Sequence, residues 1–202
     1  MLIDFKKIFD HGITPRGVIH VGMHKAEEYL IYKESGVESI IFVEANEELV
    51  NGWVNSDESC YVVHAAVSDV VEKVEFNITN NGESSSILEL GDHAQIYPHI
   101  VMVDKVKMMT TTLNKIIRKV GIYNFHWNIL NLDIQGAELK AMRGLTNWDH
   151  IEAVFTEVNY REMYKGCALI SDIDSFLSEK GFEKVEEVDT GAGWGDALYV
   201  RK

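Results

Sequence analysis

Trp127-Asn-Ile-Leu-Asn-Leu-Asp-Ile-Gln-Gly-Ala-Glu138 decides the fold, because an apolar run, Trp127 to Leu132, ends in a carboxylate and is then broken by a glycine. A strand covered on both faces reads as such a near-continuous apolar run. In an open α/β sheet, ligands sit outside the carboxyl ends of the strands, so Asp133 is a candidate site residue. The segment Leu139 to Leu145 then has helical spacing, which places Glu138 in the first turn of a helix, where a carboxylate complements the positive end of the helix dipole. Asp is also a favoured helix N-cap, and that alternative applies to Asp133.

Outward from this stretch, strand and helix patterns alternate, the signature of a mostly parallel sheet wrapped by helices. Val18 to Val21 ends at Gly22, and Ala26 to Lys33 reads as a helix. Ser39 to Val43 ends at Glu44 and is followed by a helical stretch, Glu47 to Val54. Tyr61 to Val67 breaks at Ser68-Asp69. From about 71 to 110 the pattern changes: Lys73 to Ile78 alternates, Asn80-Asn81-Gly82 is a turn signal, and the stretch predicts a β/loop insertion. Helix is predicted again over Thr111 to Val120, and a fifth strand over Ile151 to Phe155, ending at Thr156-Glu157. An amphipathic helix, Ile170 to Lys180, precedes Phe182 to Val188 and Ala197 to Val200, an antiparallel pair around the loop Gly191 to Gly195.

The 202 residues are 46% hydrophobic and 25% charged, which fits a single domain over 1–202 with a full core and an N-terminal extension, 1–16. Cys60 and Cys167 lack metal-ligand or disulfide-scaffold spacing. No signal peptide or membrane span is evident, so a cytoplasmic protein is expected. The net charge of −13 argues against a nucleic-acid partner, whose phosphates are bound largely by Lys and Arg. The basic residues from Lys105 to Lys119 are expected mostly on a solvated helix face.

In a doubly wound sheet the strand ends, Gly22 with His24, Glu44, Ser68-Asp69, Asp133 and Glu157, converge on one crevice. A glycine after the first strand permits close approach of a ligand. An acid about 20 residues later, here Glu44, can accept both ribose hydroxyls. Gly22-Met-His-Lys-Ala-Glu27 has one glycine where a dinucleotide turn needs three, and Glu27 and Glu28 in a first helical turn would repel phosphate. A nucleoside with a cationic group and no phosphate fits this mouth, and S-adenosylmethionine is such a ligand. His24, in the turn, is a candidate contact for the cofactor carboxylate or the acceptor. His20 reads as an interior imidazole.

The motifs Val18-Ile-His-Val-Gly-Met-His24, Phe42-Val-Glu-Ala-Asn46, Ala65-Ala-Val-Ser-Asp69, Ser84-Ser-Ser-Ile-Leu88, Thr111-Thr-Leu113, Asn131 to Glu138 with Arg143-Gly144, and Glu157-Val158 resemble, in order and spacing, the FkbM family of S-adenosylmethionine-dependent methyltransferases. The likeness runs from about residue 17 to about 188. It implies a Rossmann-like, seven-stranded sheet whose last strand is antiparallel, and methyl transfer to an oxygen, often a hydroxyl of a sugar or of a glycosylated product. It further implies that Gly22 lies against the methionine part of the cofactor, that Glu44 binds the ribose, that Val67 or Ser68 faces the adenine, and that Asp133 stands beside the transferred methyl. Two positions depart from the family pattern: His20 stands where Asp is common, and Gln135 where Glu is usual.

An aliphatic hydroxyl needs its proton removed, and a positioned carboxylate contributes about 10² to 10⁴ in rate as a general base. Asp133 and Glu157 are the candidate catalytic residues, acting directly or as oxygen ligands of a divalent cation, Mg²⁺, Ca²⁺ or Mn²⁺. The expected partner is a sugar or glycoside acceptor. Tyr160, Tyr164 and Trp194 could line its pocket or merely pack, and Ser84 to Ser86 could be a lid or a plain loop. Two other readings stay open: a binding protein that keeps the fold without catalysis, and a nicotinamide-dependent oxidoreductase, which the missing glycines disfavour.

Overall fold

The computed structural model describes residues 1–54, 57–121 and 126–202. After a 3₁₀ turn (Phe5–His11) the chain forms β1 (Gly17–Val21), α1 (Tyr29–Glu34), β2 (Ser39–Glu44), α2 (Glu47–Gly52), β3 (Cys60–His64), β4 (Ala66–Val67), β5 (Lys73–Thr79), α3 (His93–Ile96) and β6 (Met102–Thr111). It continues through α4 (Leu113–Val120), β7 (Trp127–Leu132), α5 (Glu138–Arg143), β8 (Ala153–Asn159), α6 (Ile170–Glu179), β9 (Phe182–Asp189) and β10 (Trp194–Arg201).

Seven strands form one sheet in the order β3-β2-β1-β7-β8-β10-β9. The pairs from β3 to β8 are parallel, whereas β10 runs antiparallel to both β8 and β9. This is the Rossmann-like α/β sheet with an antiparallel last strand. Every residue of β1, β7 and β8 is buried, as parallel strands covered on both faces require. One face packs Ile116 and Ile117 of α4, Met142 of α5 and Leu177 of α6 against Ile19, Leu130 and Val154. The other packs Phe5, Ile8 and Tyr32 against Val18, Phe42, Ile129, Phe155 and Leu198. The Phe5 ring lies 4.7 Å from that of Tyr32 and 5.6 Å from that of Phe155, which ties the N-terminal turn to this face.

Four differences from the sequence expectation bear on how the site is built, and besides these α3 was not expected and β10 starts at Trp194 rather than Ala197. The helix expected from Ala26 starts at Tyr29, because His24 and Ala26 have positive φ (48° and 56°) and the chain is still turning there. Glu27 therefore lies in the turn and Glu28 at the N-cap, not in a first helical turn. The strand expected from Tyr61 to Val67 is two strands: its partner β2 ends at Glu44, and Ala66-Val67 instead pairs with Thr110-Thr111 of β6. Ten-residue β6 was not expected as a strand. Its residues are mostly exposed and lack period-2 alternation, and it is held by antiparallel pairing to β5. Lys105 and Lys107 thus lie on a strand, with Lys105 3.4 Å from Glu75, and only Lys115, Arg118 and Lys119 lie on α4. Finally, β8 continues through Thr156 and Glu157 to Asn159, so Glu157 is inside the strand.

Candidate functional site

Side chains two apart share a face of a strand. On the face that packs Phe5 and Tyr32, the apolar residues Val18, Ile129, Phe155 and Leu198 give way, toward one end of the sheet, to His20, Asn131 and Asp133, Glu157 and Asn159, and Asp196. All of these but Asn131 border a cavity of about 530 Å³, within the size range of small-molecule sites. Residues 76–100 of the insertion and the segment 157–164 supply further walls, among them Phe76, Ser84, His93, Tyr97, Met163 and Tyr164.

Asp133 and Glu157 are brought together by Gln135. Its Nε2 donates to Asp133 Oδ1 and to Glu157 Oε2, both at 2.7 Å, and its Oε1 accepts from the Tyr164 hydroxyl. Each carboxylate has one oxygen tied to the amide, while Asp133 Oδ2 and Glu157 Oε1 have no hydrogen bond among the described residues. Gln135 sits at φ 58° and Gly136 at φ 95°. A Cβ on Gly136 would lie 2.9 Å from the Cβ atoms of Tyr164 and Cys167, so this turn is crowded as well as left-handed. Glu138 holds it in place: its Oε1 accepts from the backbone N–H groups of Ile134 and Gly136 at 3.0 Å.

Burial and then the negative charge of its neighbours, Asp133 first, push the Glu157 carboxyl well above the ordinary carboxylate range. Burial also raises Asp133, against the hydrogen bond from Gln135, and raises Glu138 to about 7. A carboxylate with a raised pKa is a stronger base for a hydroxyl proton.

Glu44 is buried at the end of β2. Its Oε2 accepts from the His24 backbone N–H at 3.0 Å and its Oε1 from that of Asn46 at 2.8 Å, and burial raises its pKa. Each oxygen keeps a further lone pair, so the carboxylate both shapes the turn and can accept hydroxyl protons. The His24 imidazole Nδ1 lies 2.9 Å from Glu27 Oε1.

Gly22 has φ 88°, and a Cβ there would sit 1.7 Å from the carbonyl oxygen of Asp133. The close approach that demands glycine is therefore to the end of β7 itself. Val67 lines the cavity beside Ala65 and Ala66. Ser68 does not: its backbone N–H donates to the Thr111 carbonyl and its hydroxyl to Asp69, so it fixes β4 against β6. His20 is an interior imidazole, with Nδ1 3.1 Å from the Tyr32 hydroxyl, which in turn accepts from Asn131 at 2.7 Å. Burial lowers its pKa, in keeping with a neutral ring.

Nothing in the structure supports a divalent cation on Asp133 and Glu157: among the described residues no group of three His, Cys, Asp or Glu converges to hold a metal, and one oxygen of each carboxylate is already bonded to the Gln135 amide. The Ser84 to Ser86 run is tied down: Ser86 Oγ donates to the Gln135 carbonyl at 2.8 Å. Sequence reasoning passed over Asn159, Asp196 and His93. The alternation from Glu157 would have found Asn159, and that from Leu198 would have found Asp196. His93 carries no local signal.

Among the described residues no helix is long and apolar enough to cross a membrane. No curated protein sequence matches the chain. Residues 20–184 match the family described as the Methyltransferase FkbM domain. Among solved structures, the chain is similar to M. capricolum TrmK in complex with S-adenosyl-homocysteine, with 6% identity and a TM-score of 0.52 over 100% of this chain and 70% of that one. It is similar also to Streptococcus pneumoniae Sp1610, described as a candidate tRNA (m1A22) methyltransferase, with 14% identity and a TM-score of 0.50 over 99% of this chain and 71% of that one. At these identities the likeness is one of fold.

Proposed function

Because the chain belongs to the FkbM methyltransferase family, we propose that it is an S-adenosylmethionine-dependent O-methyltransferase whose acceptor is a hydroxyl of a sugar, a glycan or a glycosylated small molecule. The observation that carries this reading is the Gln135 bridge, which turns one free carboxylate oxygen each of Asp133 and Glu157 to the service of an acceptor hydroxyl.

The residues fit the cofactor. Glu44 offers lone pairs to the ribose hydroxyls, and Ala65, Ala66 and Val67 give an apolar wall for the adenine. Gly22, His24 and Asp133 border the place of the methionine part. Acidic residues of the same cavity, Glu27 and Glu28 among them, suit a cationic ligand. When bound, S-adenosylmethionine supplies an electrophilic methyl group. The chain's own part is to orient the acceptor and take its proton: Glu157, raised by burial, accepts it, while Asp133 keeps the local potential negative and Gln135 holds both in register. Tyr164, by donating to Gln135, fixes which way the amide faces. Within this reading 1–202 acts as one methyltransferase domain, and the acceptor rather than a nucleic acid enters the insertion side of the cavity.

The test is methyl transfer from radiolabelled S-adenosylmethionine to a panel of methyl glycosides and of amines that lack a hydroxyl, with product stability to base separating ethers from esters. Base-stable label on a glycoside supports the proposal. Label found only on nitrogen-containing acceptors that lack a hydroxyl overturns it.

A further inference from the structure

Two buried polar side chains beside the cavity have no hydrogen-bond partner. Asn159 is 0% exposed, and neither its Oδ1 nor its Nδ2 is paired; His93 is 6% exposed, with Nδ1 unpaired. Both residues line the cavity. A buried polar group without a partner costs about 1–3 kcal/mol, so it persists where something other than the protein pairs with it. Asn159 is two residues beyond Glu157 on the same face of β8, next to the proposed base. His93 stands on α3 of the insertion, its ring 5.0 Å from that of Tyr97 and 5.5 Å from that of Tyr164. Trp194 completes this end of the cavity, its Nε1 donating to the Tyr97 hydroxyl at 3.0 Å.

The charge of the cavity is mostly negative. Asp133, Glu157, Asp196, Glu28 and Glu83 border it, no lysine or arginine does among the described residues, and the Met1 ammonium that also borders it is already paired with Glu28 at 3.2 Å. A phosphate or carboxylate on the acceptor would meet repulsion and no lysine or arginine to pair with. Glu28, which borders the cavity at the N-cap position of α1, places a negative charge where that helix start would otherwise attract an anion.

We propose that Asn159 and His93 are acceptor-binding residues, and that the ring they receive carries hydroxyls but no phosphate or carboxylate. An amide offers one acceptor and two donors and so can read neighbouring hydroxyls, while Trp194 covers the apolar face of the ring. The inference rests on the methyltransferase reading above for the identity of the second ligand.

The experiment uses protein loaded with S-adenosylhomocysteine and titrates it calorimetrically with methyl glycosides, amino-sugar glycosides, the matching sugar phosphates and a transfer RNA. Binding of neutral or amino glycosides at least about tenfold tighter than their phosphates supports the inference. Equal or tighter binding of phosphates or RNA, or no binding of any neutral or amino glycoside, overturns it. Asn159→Leu and His93→Phe are made in parallel; the second keeps the ring contacts. Each is expected to raise the KM or Kd of the glycoside about tenfold or more, with kcat changed less and S-adenosylhomocysteine affinity within about twofold. Asn159→Leu is also expected to keep or raise Tm, since no internal hydrogen bond is lost. A fall in Tm with unchanged glycoside affinity marks Asn159 as structural and overturns its assignment. Failure of S-adenosylhomocysteine to bind removes the methyltransferase reading instead, and glycoside titration of the free protein still decides the inference.

Discussion

Gln135 Nε2 lies 2.7 Å from Glu157 Oε2, so a residue in the turn after β7 is bonded to the middle of the neighbouring strand β8. The same nitrogen serves Asp133, and the two carboxylates are separated by an amide that supplies one hydrogen to each. Replacing it with an acid removes at least one of these bonds and adds a third carboxyl. Gln135→Glu is expected to destabilise the protein by about 2–4 kcal/mol at pH 8 and by less at pH 5. A further charge raises the carboxyl pKa values, and a group raised in the folded state loses stabilising effect as pH rises. Urea unfolding at the two pH values checks this, and equal losses would contradict it.

Removing the base removes the proton acceptor while leaving the amide bridge possible. Glu157→Gln and Asp133→Asn are expected to lower kcat by about 10² to 10⁴ with S-adenosylhomocysteine still binding. In the wild type the activity is expected to rise with pH along a limb displaced above the ordinary carboxylate range, because burial raises both groups and the charge of nearby carboxylates, Asp196 for Asp133 and Asp133 for Glu157, adds to it. A kcat profile that is flat from pH 5 to 8 would refute the carboxylate base.

Glu138 is raised by burial to about 7 from an ordinary value of 4.5. Its contribution to stability is therefore fully present below about pH 4.5 and lost as pH rises through 7. Glu138→Gln keeps an oxygen for the Ile134 and Gly136 N–H groups but cannot ionise. The variant is expected to lose part of the decline in Tm between pH 5 and 8 that the wild type shows, as differential scanning calorimetry would register.

Gly22 is required by the end of β7. Gly22→Ala would place its Cβ 1.7 Å from the Asp133 carbonyl oxygen, in a left-handed backbone conformation. A loss of roughly 3 kcal/mol or more is expected, from strain and from separation of the two strand ends. Chemical denaturation measures it, and a loss under about 1 kcal/mol would show that the strand ends adjust freely.

Methyl transfer is expected to survive exhaustive chelation unchanged, because among the described residues no group of three His, Cys, Asp or Glu converges to hold a metal. Activity that disappears with chelator and returns with Mg²⁺ or Mn²⁺ would show that a cation takes part.

The parallel strands were legible because both of their faces are covered, which forces continuous apolar runs such as Ile40 to Val43 and Trp127 to Leu132. Asp133 and Glu44 were legible because a charge that ends such a run has nowhere to go but the crevice. Strand β6 was not legible: its partner supplies backbone hydrogen bonds, which leave no side-chain pattern, and its exposed lysines resemble a helix face. The split of the third strand was hidden for the same reason, since the end of β2 at Glu44 is a property of the partner.

What the sequence by itself determined is thus the order of buried strands, the carboxylates at their ends and, through motif order, the family. Only the tertiary structure decided that Gln135 bridges Asp133 to Glu157, that Gly22 yields to β7, that Val67 rather than Ser68 lines the cavity, and that Asn159 and His93 meet it unpaired. Local periodicity records whether a side chain is covered, whereas hydrogen-bond partners distant in the chain are chosen by how the sheet, the insertion and the segment after β8 close on one another.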